Sequence, residues 1–275
     1  MAERTTSPRT HLRIAALGDI HVSKTSHGVF QPIFSQISTT ADVLVLCGDF
    51  TDYGLPEEAR ILARELTTAI KIPVIAVLGN HDYESGQEDE IRRILTDSGV
   101  TVLDGEATEV HGVGFAGVKG FAGGFGRGAL GPWGEGAIKR FVQEAVDEAL
   151  KLEAALARLR THRRVALLHY APIRGTVEGE PAGILPYLGS SRLEEPINRY
   201  RVNAVFHGHA HRGAPEGRTA TGVPVYNVAM PLLSRIYPER PPYLIVELPI
   251  DSDHVQPHSP PATTPLTEPL VKTSA

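Results

Sequence analysis

The chain has 275 residues, 41% hydrophobic and 21% charged, a balance that fits a globular protein and excludes a low-complexity or membrane-embedded one. Its net charge of −5 lacks the basic excess of nucleic-acid and membrane-surface binders. The single cysteine, Cys47, excludes an intrachain disulfide and a cysteine-rich metal site. Residues 1–11 are polar, without the apolar core of a signal peptide, and no apolar run approaches the roughly 20 residues of a membrane span, so a cytoplasmic location is expected.

In chain order, short apolar runs end in glycine or histidine and a polar cluster. Residues 12–17 lead into Gly18-Asp19, 43–47 into Gly48-Asp49, and 74–78 into Gly79-Asn80. Residues 165–168 lead into His169, and 202–206 into His207-Gly208-His209. Runs of this length predict buried strands. Cys47 closes one of them and reads as a small buried hydrophobe. Between the strands, 56–70 predicts a helix, with Pro56 at its first position and Glu57 and Glu58 in its first turn. Residues 87–97 and 135–160 predict two more. Strands alternating with helices imply an α/β fold whose first half is largely a parallel sheet. After Val100 the pattern changes to short strands at 108–113 and 115–118, then 224–228 and 243–247, which predicts a second, mixed sheet. Residues 11–250 carry no internal linker and are expected to form a single domain, with flexible tails at 1–10 and 251–275, the latter rich in Pro, Thr and Ser.

The polar clusters share one location, just beyond the C-terminal end of a strand, which is the edge where open α/β sheets bind ligands. In order they are Asp19-Ile20-His21, Gly48-Asp49, Gly79-Asn80-His81-Asp82, His169, and Gly208-His209-Ala210-His211. Imidazole and carboxylate together suit divalent transition ions. The i, i+2 spacing lets Asp19 with His21, and His209 with His211, converge from extended backbone. The glycines at 18, 48, 79 and 208 are expected to permit the sharp turns out of each strand. One ion leaves donors over, whereas two ions about 3.5–4 Å apart, bridged by a carboxylate, use them all.

This series of motifs resembles the calcineurin-like metallophosphoesterase superfamily over residues 18–211, in the manner of a small bacterial-type phosphodiesterase. The resemblance implies a four-layer αββα fold, two packed mixed sheets flanked by helices. It implies two divalent or mixed-valence ions, Mn, Fe or Zn. Asp19, His21, Asp49 and His211 would hold one, and Asp49, Asn80, His169 and His209 the other, with Asp49 bridging. His81 matches the catalytic histidine beside the metals, and Asp52 the carboxylate that pairs with it. The implied reaction is hydrolysis of a small phosphate ester by in-line attack of a dimetal-bridging hydroxide. The stretch 48–54 departs from the protein Ser/Thr phosphatases by carrying Tyr53 in place of arginine. That departure favours a phosphodiesterase. A phosphomonoesterase or nucleotidase, and a non-catalytic metal-binding scaffold, are the alternatives. Neither a membrane nor nucleic acid is expected as a partner, and the sequence leaves the oligomeric state open.

Three weaker signals complete the reading. Residues 112–117 fit a dinucleotide fingerprint on paper but lie in a strand-like run with no helix after it. Residues 112–136 contain eleven glycines and predict a mobile substrate loop. His207 is expected to support the strand end rather than to bind metal, and His11, His27, His111 and His162 are expected at the surface.

Overall fold

The computed structural model describes residues 10–250; apart from Thr10, the tails expected at 1–10 and 251–275 lie outside the described residues. The chain order is β1 (His11–Leu17), α1 (Gln31–Thr40), β2 (Val43–Cys47), α2 (Pro56–Ala69), β3 (Val74–Val77), α3 (Glu88–Asp97), β4 (Val100–Val102), β5 (Glu106–Val110), β6 (Val113–Gly117), α4 (Gly136–Arg158), β7 (Arg163–Leu167), α5 (Glu194–Arg199), β8 (Ala204–His207), β9 (Glu216–Arg218), β10 (Pro224–Asn227), α6 (Met230–Ile236) and β11 (Leu244–Pro249). One sheet has the order β11-β1-β2-β3-β4 and the other β5-β6-β7-β8-β10-β9. β1 to β4 are mutually parallel, as are β6, β7, β8 and β10; β11, β5 and β9 join antiparallel at edges. Both sheets are therefore mixed, as expected.

Alternation along each strand builds four layers. Leu12, Ile14 and Ala16 of β1, with Val43, Val45 and Cys47 of β2, face Phe115, Val165, Leu167 and Phe206 of the second sheet. The intervening residues, Ala15, Leu17, Leu44 and Leu46, face outward onto Phe34, Ile37, Leu62, Leu66, Ile91 and Leu95 of α1, α2 and α3. Ala116, Ala166 and Val205 do the same on the second sheet, against Leu152, Ala155 and Leu156 of α4 and Ile197 of α5. Burial on both faces is why β2 reads as an uninterrupted apolar run.

Three elements differ from the sequence reading. α1 carries only two fully buried side chains, Phe34 and Ile37, among Ser, Thr and Gln, so packing rather than propensity forms it. The break between β5 and β6 falls at His111-Gly112, both in left-handed backbone with φ of 51° and 80°. This turn ends β5 at Val110, so the strand spans 106–110 rather than 108–113. β11 closes the edge of the first sheet instead of extending the second. Residues 112–117, the fingerprint-like stretch, are turn and β6. Among the described residues no helix is long and apolar enough to cross a membrane.

Phe115 is fully buried between the two sheets. Phe115→Ala is expected to lower stability by about 3–5 kcal/mol through the cavity it leaves. Urea unfolding followed by circular dichroism should show one transition at a lower midpoint; two separated transitions would mean that the sheets unfold independently.

Candidate metal centre

The polar clusters leave β1, β2 and β3 of one sheet and β7 and β8 of the other, so the site straddles the ends of both. Hydrogen bonds between the departing loops lock them together. Asp19 N donates to Gly48 O at 2.9 Å, His21 N to Asp49 O at 3.0 Å, Val22 N to Phe50 O at 2.8 Å, and Gly208 N to His169 O at 3.2 Å.

The turns are made by the functional residues themselves. Among the described residues six non-glycine residues have positive φ, and four of them are Asp19 (58°), His21 (48°), Asp49 (51°) and His209 (69°). Of the four glycines expected to make these turns, only Gly48, at φ 80°, is left-handed. The others are glycine for lack of space: a Cβ on Gly79 would collide with the Asp49 carboxylate, one on Gly208 with the Asp19 carboxylate, and one on Gly18 would lie 2.9 Å from the Cys47 carbonyl. The missing side chain lets a carboxylate lie directly against the neighbouring loop.

Among the described residues three groups of side chains have donor atoms close enough to share an ion. They are Asp19, His21 and His211; Asp49, His169 and His209; and His21, Asp52 and His81, with the donor atoms of each group all within 4.8 Å of one another. His211 Nε2 lies 2.9 Å from Asp19 Oδ1. His169 Nε2 lies 3.3 Å from Asp49 Oδ1 and 2.9 Å from Asn80 Oδ1. The other oxygen of Asp49, Oδ2, lies 3.9 Å from His21 Nε2. The Asp49 carboxylate thus offers one oxygen to each of the first two groups. Asp19, Asp49 and His169 are essentially inaccessible to solvent.

The donor chemistry fits a cation. His169 Nδ1 lies 2.9 Å from the carbonyl of Cys47 and donates to it, so Nε2 turns a lone pair toward two oxygen acceptors. Two acceptors and a ring nitrogen converging in a buried space need a positive charge among them. In the metal-free protein a proton can supply it: burial opposes the charge on His169, but Asp49 outweighs burial and raises the pKa to about 9. Burial likewise opposes the Asp49 charge, and His169 overrides it, holding the carboxyl well below the usual range. His209 goes the other way, to about 4, through burial and the neighbouring His169. Both ring nitrogens of His21 are buried without a hydrogen-bond partner, a state that a neutral imidazole leaves by binding something.

His81 stands beside these groups. Its backbone N–H donates to Asp49 Oδ1 at 2.8 Å, and its ring meets that of His21 edge-on at 4.5 Å. The expected pair between the His81 ring and the Asp52 carboxylate is not formed. Nδ1 of His81 lies 2.7 Å from the main-chain carbonyl of Asp52, whereas the Asp52 carboxylate faces His21 Nδ1 at 3.7 Å. The tight loop lets the backbone reach His81 first. Nor does Asp52 cap α2: Glu58 accepts from Tyr53 N at 3.0 Å and Leu55 N at 3.3 Å.

Asp82 is a residue whose part the motif alone did not disclose. It is fully buried, and its carboxylate accepts from Phe50 N at 3.0 Å, Thr51 N at 2.9 Å, Thr51 Oγ1 at 2.8 Å and Gly79 N at 2.8 Å. It thereby staples the loop carrying Asp49 to the loop carrying Asn80 and His81. Burial, with Asp49 nearby, lifts its pKa to about 6 against the pull of these hydrogen bonds. The available signal was its place in the Gly79-Asn80-His81-Asp82 run, which alone cannot distinguish a site carboxylate from a structural one. His207, with ring nitrogens 2.8 Å from Gly208 O and 2.8 Å from Thr176 Oγ1, is satisfied within the protein, and His11, His27, His111 and His162 are exposed.

A lip overhangs the His209 side. The loop after β6 pairs with the loop after β7: Gly123 N donates to Pro186 O at 2.8 Å, and Gly124 N to Gly189 O at 2.9 Å. The glycine-rich stretch is thus β6, a paired lip and the start of α4, rather than one long loop. A small apolar cluster of Ala171, Val177, Leu188 and Ala210, flanked by Phe125 and Leu185, seats the lip on the residue between His209 and His211. The carbonyl of Tyr187 lies 3.3 Å from His209 Nε2.

A family model for calcineurin-like phosphoesterases matches residues 12–213, and the chain belongs to that family. Solved structures with a similar fold include the phosphopantetheinyl hydrolase PptH from Mycobacterium tuberculosis, at 16% identity and a TM-score of 0.62 over 85% of this chain and 95% of that one. TT1561 of Thermus thermophilus matches at 16% identity and a TM-score of 0.50 over 82% and 92% of the two chains. GAP50, the anchor in the inner membrane complex of Plasmodium, matches at 12% identity and a TM-score of 0.53 over 81% and 73%. No curated protein sequence matches significantly.

Asp82→Ala leaves several buried N–H groups without an acceptor, each at about 1–3 kcal/mol. The variant is expected to lose more than about 3 kcal/mol of stability by urea titration and to bind Mn²⁺ more weakly. Unchanged stability and metal affinity would show that the two loops hold together without it.

Proposed function

We propose that the chain is a metal-dependent phosphodiesterase that holds two divalent ions, Mn, Fe or Zn, in the groups Asp19/His21/Asp49/His211 and Asp49/Asn80/His169/His209. The observation that carries this reading is the Asp49 carboxylate, buried with one oxygen toward each group. Two ions so placed supply charge neutralisation at a phosphoryl group and a lowered pKa for a shared water.

The remaining work falls to the chain. Asn80 offers a neutral oxygen, so its side of the site gains a donor without gaining charge that repels an anionic ester. His81 donates its Nδ1 hydrogen to the Asp52 carbonyl, which fixes the ring; in the imidazolium form, with a second hydrogen on Nε2, that nitrogen is the atom that can protonate the departing oxygen and is left with a lone pair. The left-handed backbone at Asp19, His21, Asp49 and His209 holds their side chains in place before substrate arrives.

Preference for a diester follows from the surroundings. Tyr53 stands, 61% exposed, where a protein phosphatase carries arginine, and Tyr187, 60% exposed, stands on the lip beside His209. A monoester dianion gains most from a guanidinium, whereas a diester monoanion brings two organic groups that exposed rings can cover. The site sits in a protein read as cytoplasmic and acting on small esters.

With Mn²⁺ added, kcat/KM for bis(4-nitrophenyl) phosphate should exceed that for 4-nitrophenyl phosphate. The reverse order would assign the chain to the monoesterases, and no turnover of either with both ions bound would make it a scaffold. His81→Ala should lower kcat by roughly 10²–10⁴-fold, the range for one positioned acid, with metal content unchanged. The loss should be smaller for nitrophenolate than for an alkoxide leaving group. An equal loss for both would remove His81 from the proton transfer.

A further inference from the structure

We infer that Asp52 is a positioning residue for His21: its carboxylate takes the Nδ1 hydrogen of His21 and so aims Nε2 at the ion shared with Asp19, Asp49 and His211. The inference rests on the two-ion reading above and assigns Asp52 to a different partner from the one the family resemblance implied.

Three other imidazoles of the site each place one ring nitrogen against a main-chain carbonyl. His169 Nδ1 has the Cys47 carbonyl at 2.9 Å, His81 Nδ1 the Asp52 carbonyl at 2.7 Å, and His209 Nε2 the Tyr187 carbonyl at 3.3 Å. Such partners fix the tautomer and the ring plane of a metal-binding histidine. His21 has none; its two nitrogens are buried and unbonded. What flanks them is a carboxylate on each side, Asp49 Oδ2 at 3.9 Å from Nε2 and Asp52 Oδ1 at 3.7 Å from Nδ1. A neutral ring has one hydrogen and one lone pair to distribute between these sides.

The surroundings decide which side receives which. On the Nε2 side, Asp49 already faces His169 and accepts from His81 N, and Asp19 and His211 complete a donor group. That side is built for an ion. On the Nδ1 side, the Asp52 carboxylate accepts no hydrogen bond among the described residues, since Glu58 holds the start of α2. His81 is already occupied by the carbonyl of the same residue. The backbone holds the pair in register: Val22 bridges Thr51 in parallel, and Asp52 N donates to Val22 O at 3.1 Å. A small rotation of either side chain shortens the 3.7 Å gap to hydrogen-bond length. The result is a carboxylate–histidine–metal arrangement, in which losing the outer carboxylate costs about 10–100-fold in metal affinity.

The test is calorimetric titration of chelator-stripped protein with Mn²⁺, which needs no substrate. Wild type should show two binding steps. Asp52→Ala should weaken one step by about 10–100-fold and leave the other within about threefold. Asp52→Asn, whose amide oxygen still accepts from Nδ1–H, should recover most of the loss and guards against a folding defect in the alanine variant. A second readout is kcat at saturating Mn²⁺ across diesters of rising leaving-group pKa. If Asp52 acts through His21, its slope stays that of wild type. Unchanged Mn²⁺ steps in both variants, with a steeper leaving-group dependence, would return Asp52 to His81 and overturn the assignment. A wild type with fewer than two steps would overturn the two-ion reading itself.

Discussion

Three buried carboxylates, Asp19, Asp49 and Asp82, stand within one set of interlocked loops, and the balance of their charge governs how the rest of the site is arranged. Asp82 is compensated by backbone and hydroxyl donors from both loops that it joins. Asp19 accepts from His209 N at 3.0 Å and meets His211 Nε2 at 2.9 Å. Asp49 is left facing imidazoles on both sides, and a proton can meet only part of that need. In a medium of low polarity, unbalanced negative charge is among the costliest states a fold can hold. The constellation is therefore arranged for cations as much as for a substrate.

The backbone bears the same constraint in another form. Left-handed conformations at non-glycine residues cost of order 1–3 kcal/mol each, and here they coincide with donors instead of with the adjacent glycines. The glycines keep a different part of the geometry, the close approach of one loop to the next. Since both features serve one end, a substitution at Gly79 or Gly208 would displace a carboxylate without altering any donor.

The strands and the donors were legible because each donor follows directly on a run buried on both faces, as at Leu46-Cys47-Gly48-Asp49 and Phe206-His207-Gly208-His209. The helices with clear amphipathic patterning, α2, α3 and α4, were legible for the same local reason. What escaped was decided across long sequence separations. A period of two tells which residues lie on one face, but not which sheet a strand joins, so β11 was misplaced. α1 lacks a strong pattern and exists through Phe34 and Ile37. The direction of the Asp52 side chain depends on whether carbonyl or carboxylate reaches His81 first, a matter of a few ångströms in a folded loop. Asp82 looked like one more member of a polar run until its four hydrogen-bond donors were seen to come from two loops.

That the donors come from both sheets has a thermodynamic consequence. Each half of the β-sandwich ends in an incomplete set: Asp19, His21, Asp49 and Asn80 from one, His169, His209 and His211 from the other. An ion held between them would be a fastener across the seam, and its binding free energy would add to that of the apolar contacts beneath. Linkage makes this reciprocal: whatever pries the sheets apart releases metal, and a rise in free metal concentration resists the prying, by about 2.7 kcal/mol at a hundredfold excess over the dissociation constant. On the two-ion proposal, metal supply would act on the lifetime of the folded chain as well as on its chemistry.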